Sequence, residues 1–536
     1  MNGEGGSNPK REIFPLVILV LCLGLFTVKA LTSLVQESST WDETCYFGMG
    51  KYLLQHQRWD VPGSILHPPL SFYIHSIPLL FVPTDQEPWK TDPRRVKDLE
   101  YLGNSDVLRG QALLSSSQNQ NDRLLALSRF MMVLTAVLLG WFVYLWTYAL
   151  YGKWSAILAV LRFSFSPDVL AHARLITPDI TLTTFSFITL YYLWRLLRHK
   201  HLLDSILGGT CLGLALLSKF TSVLLFPICF VLILLWQLRV KDLKLPHICL
   251  FATIGIGVLV LGYGGHIGAY FDGMSYQREH DANAAYRRFL MGRYSTSGWW
   301  YYFLVAFAIK TPIPTIIFIG VAAALLVGKL AKGDWVNEAF LLVPAVVILC
   351  FFSLSKHEIG IRYLLPVYPF LFVWAGKAAQ WFLSNNFLKA LYFGMIAWYI
   401  GASCFIHPHY LAYFNELVGG PNNGYKCLVD SNLGWGQDLK GLKSFMQKQG
   451  IARISLSYFG SDSPERYGID YDWLPSFVLH DSNLGQHSVR PKGWVAISAT
   501  NLQGVYFEDV NIFDCLKRRQ PVAKIGYSIL IYKIDD

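Results

Sequence analysis

Charged side chains are scarce in this sequence: they make up 15% of its 536 residues, against ~25% in an ordinary soluble protein. Cysteine is scarce too, with 9 in the chain. No Cys-x-x-Cys or Cys/His metal spacing occurs among them, so a zinc ribbon, dithiol redox chemistry and a disulfide scaffold are unsupported. There is no P-loop, and no Gly-x-Gly-x-x-Gly leads into a helix of the right type, which removes the common nucleotide-phosphate cradles. Internal repeats and low-complexity tracts are also missing. An apolar content of 53% excludes a disordered or collagen-like chain. What the sequence has in excess is apolar runs of about 20 residues, each long enough to cross ~30 Å of hydrocarbon.

These runs predict a polytopic α-helical membrane protein with about eleven spans. They lie at roughly 13–35, 126–150, 154–173, 177–197, 204–219, 221–238, 247–266, 312–330, 337–354, 361–383 and 387–406. The first follows Lys10 and Arg11, but it is longer than a signal-peptide core and no small-x-small cleavage site follows, so it reads as an anchor. With a cytoplasmic N-terminus, the short cytoplasmic loops hold Lys153, Arg195, Arg198, Lys200, Arg239, Lys241, Lys244, Lys329, Lys332 and Lys389. That is the positive-inside pattern. It accounts for most of the formal charge of +10. Without a basic stripe interleaved with aromatics elsewhere, nucleic acid is not an expected partner.

An odd number of spans leaves three regions outside: a first loop (36–125), a second (267–311) and the C-terminal stretch. The expected division is a transmembrane catalytic domain over 1–406 and an extracytoplasmic α/β domain over 407–536. Leu66 to Val82 is apolar but broken by Pro68, Pro69 and Pro78, and reads as interfacial. Trp299 to Tyr302 is an aromatic cluster of the kind that settles at head-group level. In the tail, Asp438 to Gln449 predicts an amphipathic helix, and Ile454 to Phe459, Trp494 to Ser498 and Tyr527 to Ile534 predict strands. Of the cysteines only Cys45, Cys427 and Cys515 fall outside the membrane, where one disulfide could form.

The polar residues at the span ends gather on one face. Trp41-Asp42-Glu43 follows the first span and His67-Pro68-Pro69 lies on the same loop. Arg174 and Pro178-Asp179 occupy the turn between the third and fourth spans. Lys219 ends the fifth and Lys310-Thr311-Pro312 begins the eighth, while Lys356-His357-Glu358 and Arg362 join the ninth and tenth. Singly each has an ordinary explanation: a lysine snorkels, an acid after proline favours a helix N-terminus, a histidine before two prolines fixes a turn. Together they form a one-sided acidic and basic site, and ionisable groups at that depth are costly.

Basic groups near the bilayer suit a phosphate carried on a lipid, and a carboxylate beside them can take a proton from an acceptor hydroxyl. Nucleotide sugars and ATP are scarce outside the cytoplasm, so group transfer there needs a donor already activated on a lipid. These ingredients describe a lipid-phosphate-sugar glycosyltransferase. A polytopic secondary transporter, which would show repeated halves and broken helices at the midplane, and a non-catalytic lipid-linked glycan binding protein are the alternatives.

The motifs, taken in order, resemble the GT-C superfamily of membrane glycosyltransferases, of the protein O-mannosyltransferase and aminoarabinose transferase type, which depend on a phospholipid carrier. The resemblance rests on Asp42-Glu43, His67-Pro68-Pro69-Leu70, Arg174 with Pro178-Asp179, Lys310-Thr311-Pro312, Gly360 to Pro366 and His407 to Asn415. The segment Asp430 to Leu439 is similar to one in bacterial members. It implies a polyprenyl-phosphate sugar donor, a glycan, lipid or protein acceptor, and transfer with inversion at the anomeric carbon. By the same resemblance Asp42 is the base and Glu43 supports it. Asp179 is a second acid at the cavity, and Lys219, Lys310, Arg362 and Arg174 are candidates for the donor phosphate. His67, Lys356, His357 and Glu358 would line the substrate cavity. Two adjacent acids could hold a divalent cation, though a positively lined phosphate site can work without one. The implied setting is a multi-pass protein of the bacterial inner (plasma) membrane with its site facing the periplasm or exterior.

Overall fold

Apolar runs become helices because a backbone in hydrocarbon must satisfy its own hydrogen bonds, and prolines decide where those helices break. The structure is a computed structural model describing residues 9–59, 64–82, 105–116, 121–283, 287–331, 335–477 and 490–534. Lys332, used above for orientation, lies outside these residues, as do parts of the first loop, and the side chains of Lys10, Arg11 and Lys329 are not described.

The site is positioned by the following helices: α1 (Pro9–Leu34), α2 (Trp41–His56), α3 (Asn121–Tyr151), α4 (Lys153–Phe165), α5 (Pro167–Ala173), α6 (Pro178–His199), α7 (Leu202–Leu216), α8 (Leu225–Val240), α9 (Leu245–Gly262), α10 (Tyr302–Lys310), α11 (Ile313–Ala331), α12 (Val336–Ser353), α13 (Tyr368–Gly376), α14 (Asn386–Phe405) and α15 (Leu439–Gln449). Among the described residues, 7 helical stretches are long and apolar enough to span a membrane, or up to 9 when each of two bent pairs counts as one.

Two of the eleven expected spans depart from that pattern. The 204–219 run gives the 15-residue α7. The 361–383 run divides into a 3-10 turn at Ile361–Val367, α13, and a short helix at Ala378–Phe382. Pro366 and Pro369 account for the first division, since each lacks the N–H that a continuing helix needs.

Both bends sit at prolines. Ser166 caps α5, its hydroxyl accepting from the Val169 N–H at 3.4 Å, and Pro167 starts the helix, so α4 and α5 meet at 59°. Thr311 is extended ahead of Pro312, as proline demands of its predecessor, and α10 meets α11 at 115°. α7 and α9 cross closely because glycines remove the Cβ from the contact. A Cβ on Gly209 would lie 2.5 Å from the Phe251 carbonyl oxygen, and one on Gly213 2.6 Å from that of Gly255.

The tail forms a five-stranded mixed sheet: β1 (Ile454–Ser457), β2 (Tyr471–Trp473), β3 (Gly493–Ser498), β4 (Ala523–Ile525) and β5 (Ile529–Ile534), in the order β2-β1-β3-β5-β4. β1 is parallel to both β2 and β3, while β5 is antiparallel to β3 and β4. Alternating residues face opposite ways. Val495, Ile497, Leu530 and Tyr532 join the large core shared with the membrane helices. Ala496, Ile529 and Ile531 face the other way and pack with Leu442 and Met446 of α15. No disulfide joins any of the nine cysteines to another, the expected Cys45, Cys427 and Cys515 included.

Replacing Gly213 with leucine should lower thermal stability in detergent by about 1–3 kcal/mol through overpacking of the α7–α9 crossing, read as a lower midpoint in a fluorescence melt; an unchanged midpoint would mean the crossing is loose.

Candidate active site

The first turn of α2 is set by its own sequence. The Thr40 N–H donates to Glu43 Oε2 at 2.9 Å, a carboxylate three residues on closing the helix start. That fixes Asp42 in the first turn, where the helix dipole favours an acid. The start of α2 and the segment leading into it are fastened from the tail: the Ser38 N–H donates to the Gln437 carbonyl at 2.8 Å and the Trp41 N–H to that of Trp435 at 2.7 Å. The Ser38 hydroxyl also donates to the Gly436 carbonyl at 2.9 Å. The Asp430 to Leu439 segment thus clasps the start of α2.

The two adjacent acids point to different partners. Glu43 is fully buried and receives Arg129 Nε at 2.8 Å and Nη2 at 2.6 Å, and the Ile176 N–H at 3.0 Å. Burial would push its carboxyl up, but Arg129 and the Thr40 and Ile176 N–H groups outweigh it and hold it below the usual carboxylate range. Arg129 also donates to the carbonyls of Leu34 and Ser38, both at 2.8 Å, tying the end of α1 to the start of α2.

Asp42 turns instead to a cavity of ≈ 330 Å³. Its Oδ2 accepts from Arg362 Nη1 at 2.7 Å; the same nitrogen lies 3.9 Å from Asp179 Oδ2, and Asp179 Oδ1 receives Lys219 Nζ at 2.8 Å. The four groups form an alternating row of charges. The Asp42 side chain is 21% exposed and that of Asp179 2%, so Asp42 is the acid open to the cavity. Arg362 lies over the Trp435 ring at 4.1 Å and Lys219 over the Tyr363 ring at 4.7 Å, aromatic faces that hold cations at a desolvated site.

Asp42, Lys219 and Arg362 line this cavity with His67, His357, Tyr46, Gln277 and Tyr363. The other expected residues lie apart from it. Arg174 pairs with Glu37 at 2.7 Å, both buried. Lys310 is fully buried, donates to the carbonyls of Leu411 at 2.8 Å and Asn432 at 2.6 Å, and lies 4.0 Å from Asp168. Lys356 is exposed, and its carbonyl accepts from Arg288 Nε at 2.9 Å. Glu358 is buried and accepts the Trp299 N–H at 2.6 Å. Burial pushes its carboxyl up to about 7 although that N–H opposes it.

Residues absent from the sequence-based set complete the frame. Arg129 and Trp435 hold the two ends of the site, and Asn432 accepts the Ile361 N–H at 2.9 Å beside Arg362. Arg129 carried a signal, since an arginine near the start of an apolar span needs a buried partner; Trp435 carried none beyond its motif. Asp42 and Glu43 face apart, toward Arg362 and Arg129, and among the described residues no group of three or more His, Cys, Asp or Glu side chains could hold a metal ion.

A family model described as Dolichyl-phosphate-mannose-protein mannosyltransferase matches residues 123–263. No curated protein matches the chain. Among solved structures, apo ArnT from Cupriavidus metallidurans is similar at 17% identity and TM-score 0.47, over 73% of this chain and 64% of that one. ArnT bound to undecaprenyl phosphate gives 13% and 0.48, over 96% and 97%. The archaeal oligosaccharyltransferase AglB from Archaeoglobus fulgidus, in complex with an inhibitory peptide and a dolichol-phosphate, gives 12% and 0.47, over 90% and 62%.

Glu43→Gln should destabilise the protein by about 3–5 kcal/mol in thermal unfolding, because Arg129 stays buried without its counter-charge. Asp42→Asn should cost far less, since Arg362 keeps Asp179 and the Trp435 face. The depressed carboxyl of Glu43 contributes stability above its unfolded value near ~4.3 that is lost as pH falls through the folded value; acid titration of the melting midpoint should show a shallower slope in Glu43→Gln. By sequence, the stretch that supplies Arg129, Asp179 and Lys219 is similar to the dolichyl-phosphate-mannose-protein mannosyltransferases.

Proposed function

We propose that this chain is a membrane glycosyltransferase of the GT-C type that moves a sugar from a polyprenyl-phosphate donor to an acceptor hydroxyl, with inversion, on the extracytoplasmic side. The observation that carries the reading is the charge row Asp42–Arg362–Asp179–Lys219, in which Asp42, Arg362 and Lys219 line one cavity, the buried Asp179 lies behind them, and the most open member is a carboxylate. The family match over 123–263 supports the reaction class. The basic residues of the opposite loops support the sidedness.

The chemistry follows from the charges. The acceptor oxygen bonds to the anomeric carbon as the bond from that carbon to the phosphate oxygen breaks, and Asp42 takes the acceptor proton. The polyprenyl phosphate leaves with one more negative charge, which Arg362 and Lys219 neutralise in a site with little competing water. A good leaving group makes a general acid unnecessary. An apolar surface bordering the cavity at Thr221 and Phe352 continues past Leu182, Leu225, Ile228 and Ile348, the side along which an isoprenoid tail would lie. His67, His357 and Tyr46 then face the sugar, while Lys310 and Arg174 secure the walls through the contacts above.

A resting Asp42–Arg362 ion pair gives donor binding a second consequence. The donor's phosphodiester, a monoanion, competes with Asp42 for Arg362 through charge-assisted hydrogen bonds. Engaging the donor loosens the guanidinium from Asp42 and frees that carboxylate to take the acceptor proton.

Purified protein given a panel of polyprenyl-phosphate sugars together with a cell-envelope extract as the source of acceptor hydroxyls should release polyprenyl phosphate with at least one of them. Asp42→Asn should lower that rate ~10²–10⁴-fold, the range for loss of a general base, with expression unchanged. No release with any donor, or equal rates for wild type and Asp42→Asn, would overturn the proposal. Lys219→Ala and Arg362→Ala should raise the donor KM; if neither does, the phosphate binds elsewhere.

A further inference from the structure

A second cavity, of ≈ 340 Å³, opens beside the C-terminal end of α14, and the proposed reaction makes no use of it. Its apolar wall includes Ala402, Phe405 and Ile406, and its rim runs from Tyr413 to Pro421. The apolar stretch of α14 is 22% buried and Phe405 is 73% exposed, so the opening faces where lipid would lie, at the end of a span.

Three polar groups face this apolar wall. Trp398 Nε1 donates to Glu416 Oε1 at 2.9 Å and fixes the carboxylate at the rim. Among the described residues no lysine or arginine pairs with Glu416. Tyr413 lines the cavity at 4% exposure, and among the described residues its hydroxyl has no hydrogen-bond partner. Leaving such a group unpaired is costly, and an occupant offering an acceptor oxygen would recover that cost. A carboxylate beside an indole attracts a cation and repels an anion.

We propose that this groove is a site for a phospholipid whose head group ends in a primary ammonium. The ammonium meets Glu416 beside Trp398, a phosphate or ester oxygen accepts from the Tyr413 hydroxyl, and an acyl chain lies along Ala402 and Phe405. The occupied loop is stapled to the end of α10: Asn415 Nδ2 donates to the carbonyls of Ala308 at 2.6 Å and Thr311 at 2.8 Å, and the Phe414 ring lies 4.6 Å from Lys310 Nζ. Bound lipid would brace the loop that surrounds Lys310. None of this depends on the glycosyl-transfer reading.

The test is native mass spectrometry of the full chain equilibrated in micelles with equal amounts of phosphatidylethanolamine, phosphatidylcholine and phosphatidylglycerol. Wild type should retain one phosphatidylethanolamine about tenfold over phosphatidylglycerol, the worth of roughly one charge-assisted hydrogen bond. Glu416→Gln should erase most of that preference. Tyr413→Phe, which keeps the ring and the fold, should lower retention without changing the preference for ethanolamine. Equal retention of the three lipids by wild type, a preference for choline or glycerol head groups, or selectivity surviving in Glu416→Gln would overturn the proposal.

Discussion

The guanidinium of Arg362 is the group on which the rest of the site depends. It is 8% exposed, at the edge of a helical membrane bundle, and a charge there persists only with partners. Asp42 lies 2.7 Å away, Asp179 3.9 Å, and the Trp435 ring 4.1 Å. Each partner comes from a different part of the chain: the first turn of α2, the first turn of α6, and the tail segment. Satisfying one cation therefore brings three distant stretches of sequence to one cavity wall.

That requirement explains the structural investment around it. Asp42 can reach Arg362 only if α2 starts where it does, and the start is secured by Thr40, Glu43 and Arg129 on one side and by the Trp435 and Gln437 carbonyls on the other. Asp179 is held by Lys219, which frees Asp42 to be the more open acid. The arrangement separates two jobs that adjacent acids often share. Glu43 is buried and paired with Arg129, while Asp42 faces the cavity paired with Arg362.

Much of this was legible in the sequence, for reasons that particular residues make clear. Hydropathy alone located α1, α3, α6, α8, α9, α12 and α14, since hydrocarbon leaves little choice for a run of that length. The bends at Pro167 and Pro312 were written in the sequence yet were read as parts or edges of straight spans. Pro366 and Pro369 likewise divide a run whose hydropathy is uniform. The gathering of Asp42, Asp179, Lys219 and Arg362 was legible because all four sit at span ends on one side. The partners of Glu43, Arg174 and Lys310 were not: Arg129, Glu37 and the Leu411 and Asn432 carbonyls are remote in sequence, and backbone acceptors leave no trace in residue identity. The clasp formed by Asp430 to Leu439 was visible only as a motif, because its work is done mainly by carbonyl groups and the face of Trp435.

The central claim is that Asp42 and a lipid phosphate compete for the same guanidinium. Equilibrium binding of polyprenyl phosphate to wild type and to Asp42→Asn tests it most directly. Removing the competing carboxylate should tighten binding several-fold while turnover is lost, and Arg362→Ala should weaken binding in both backgrounds. Binding that weakens or stays unchanged in Asp42→Asn would show that Arg362 is not shared between the base and the phosphate.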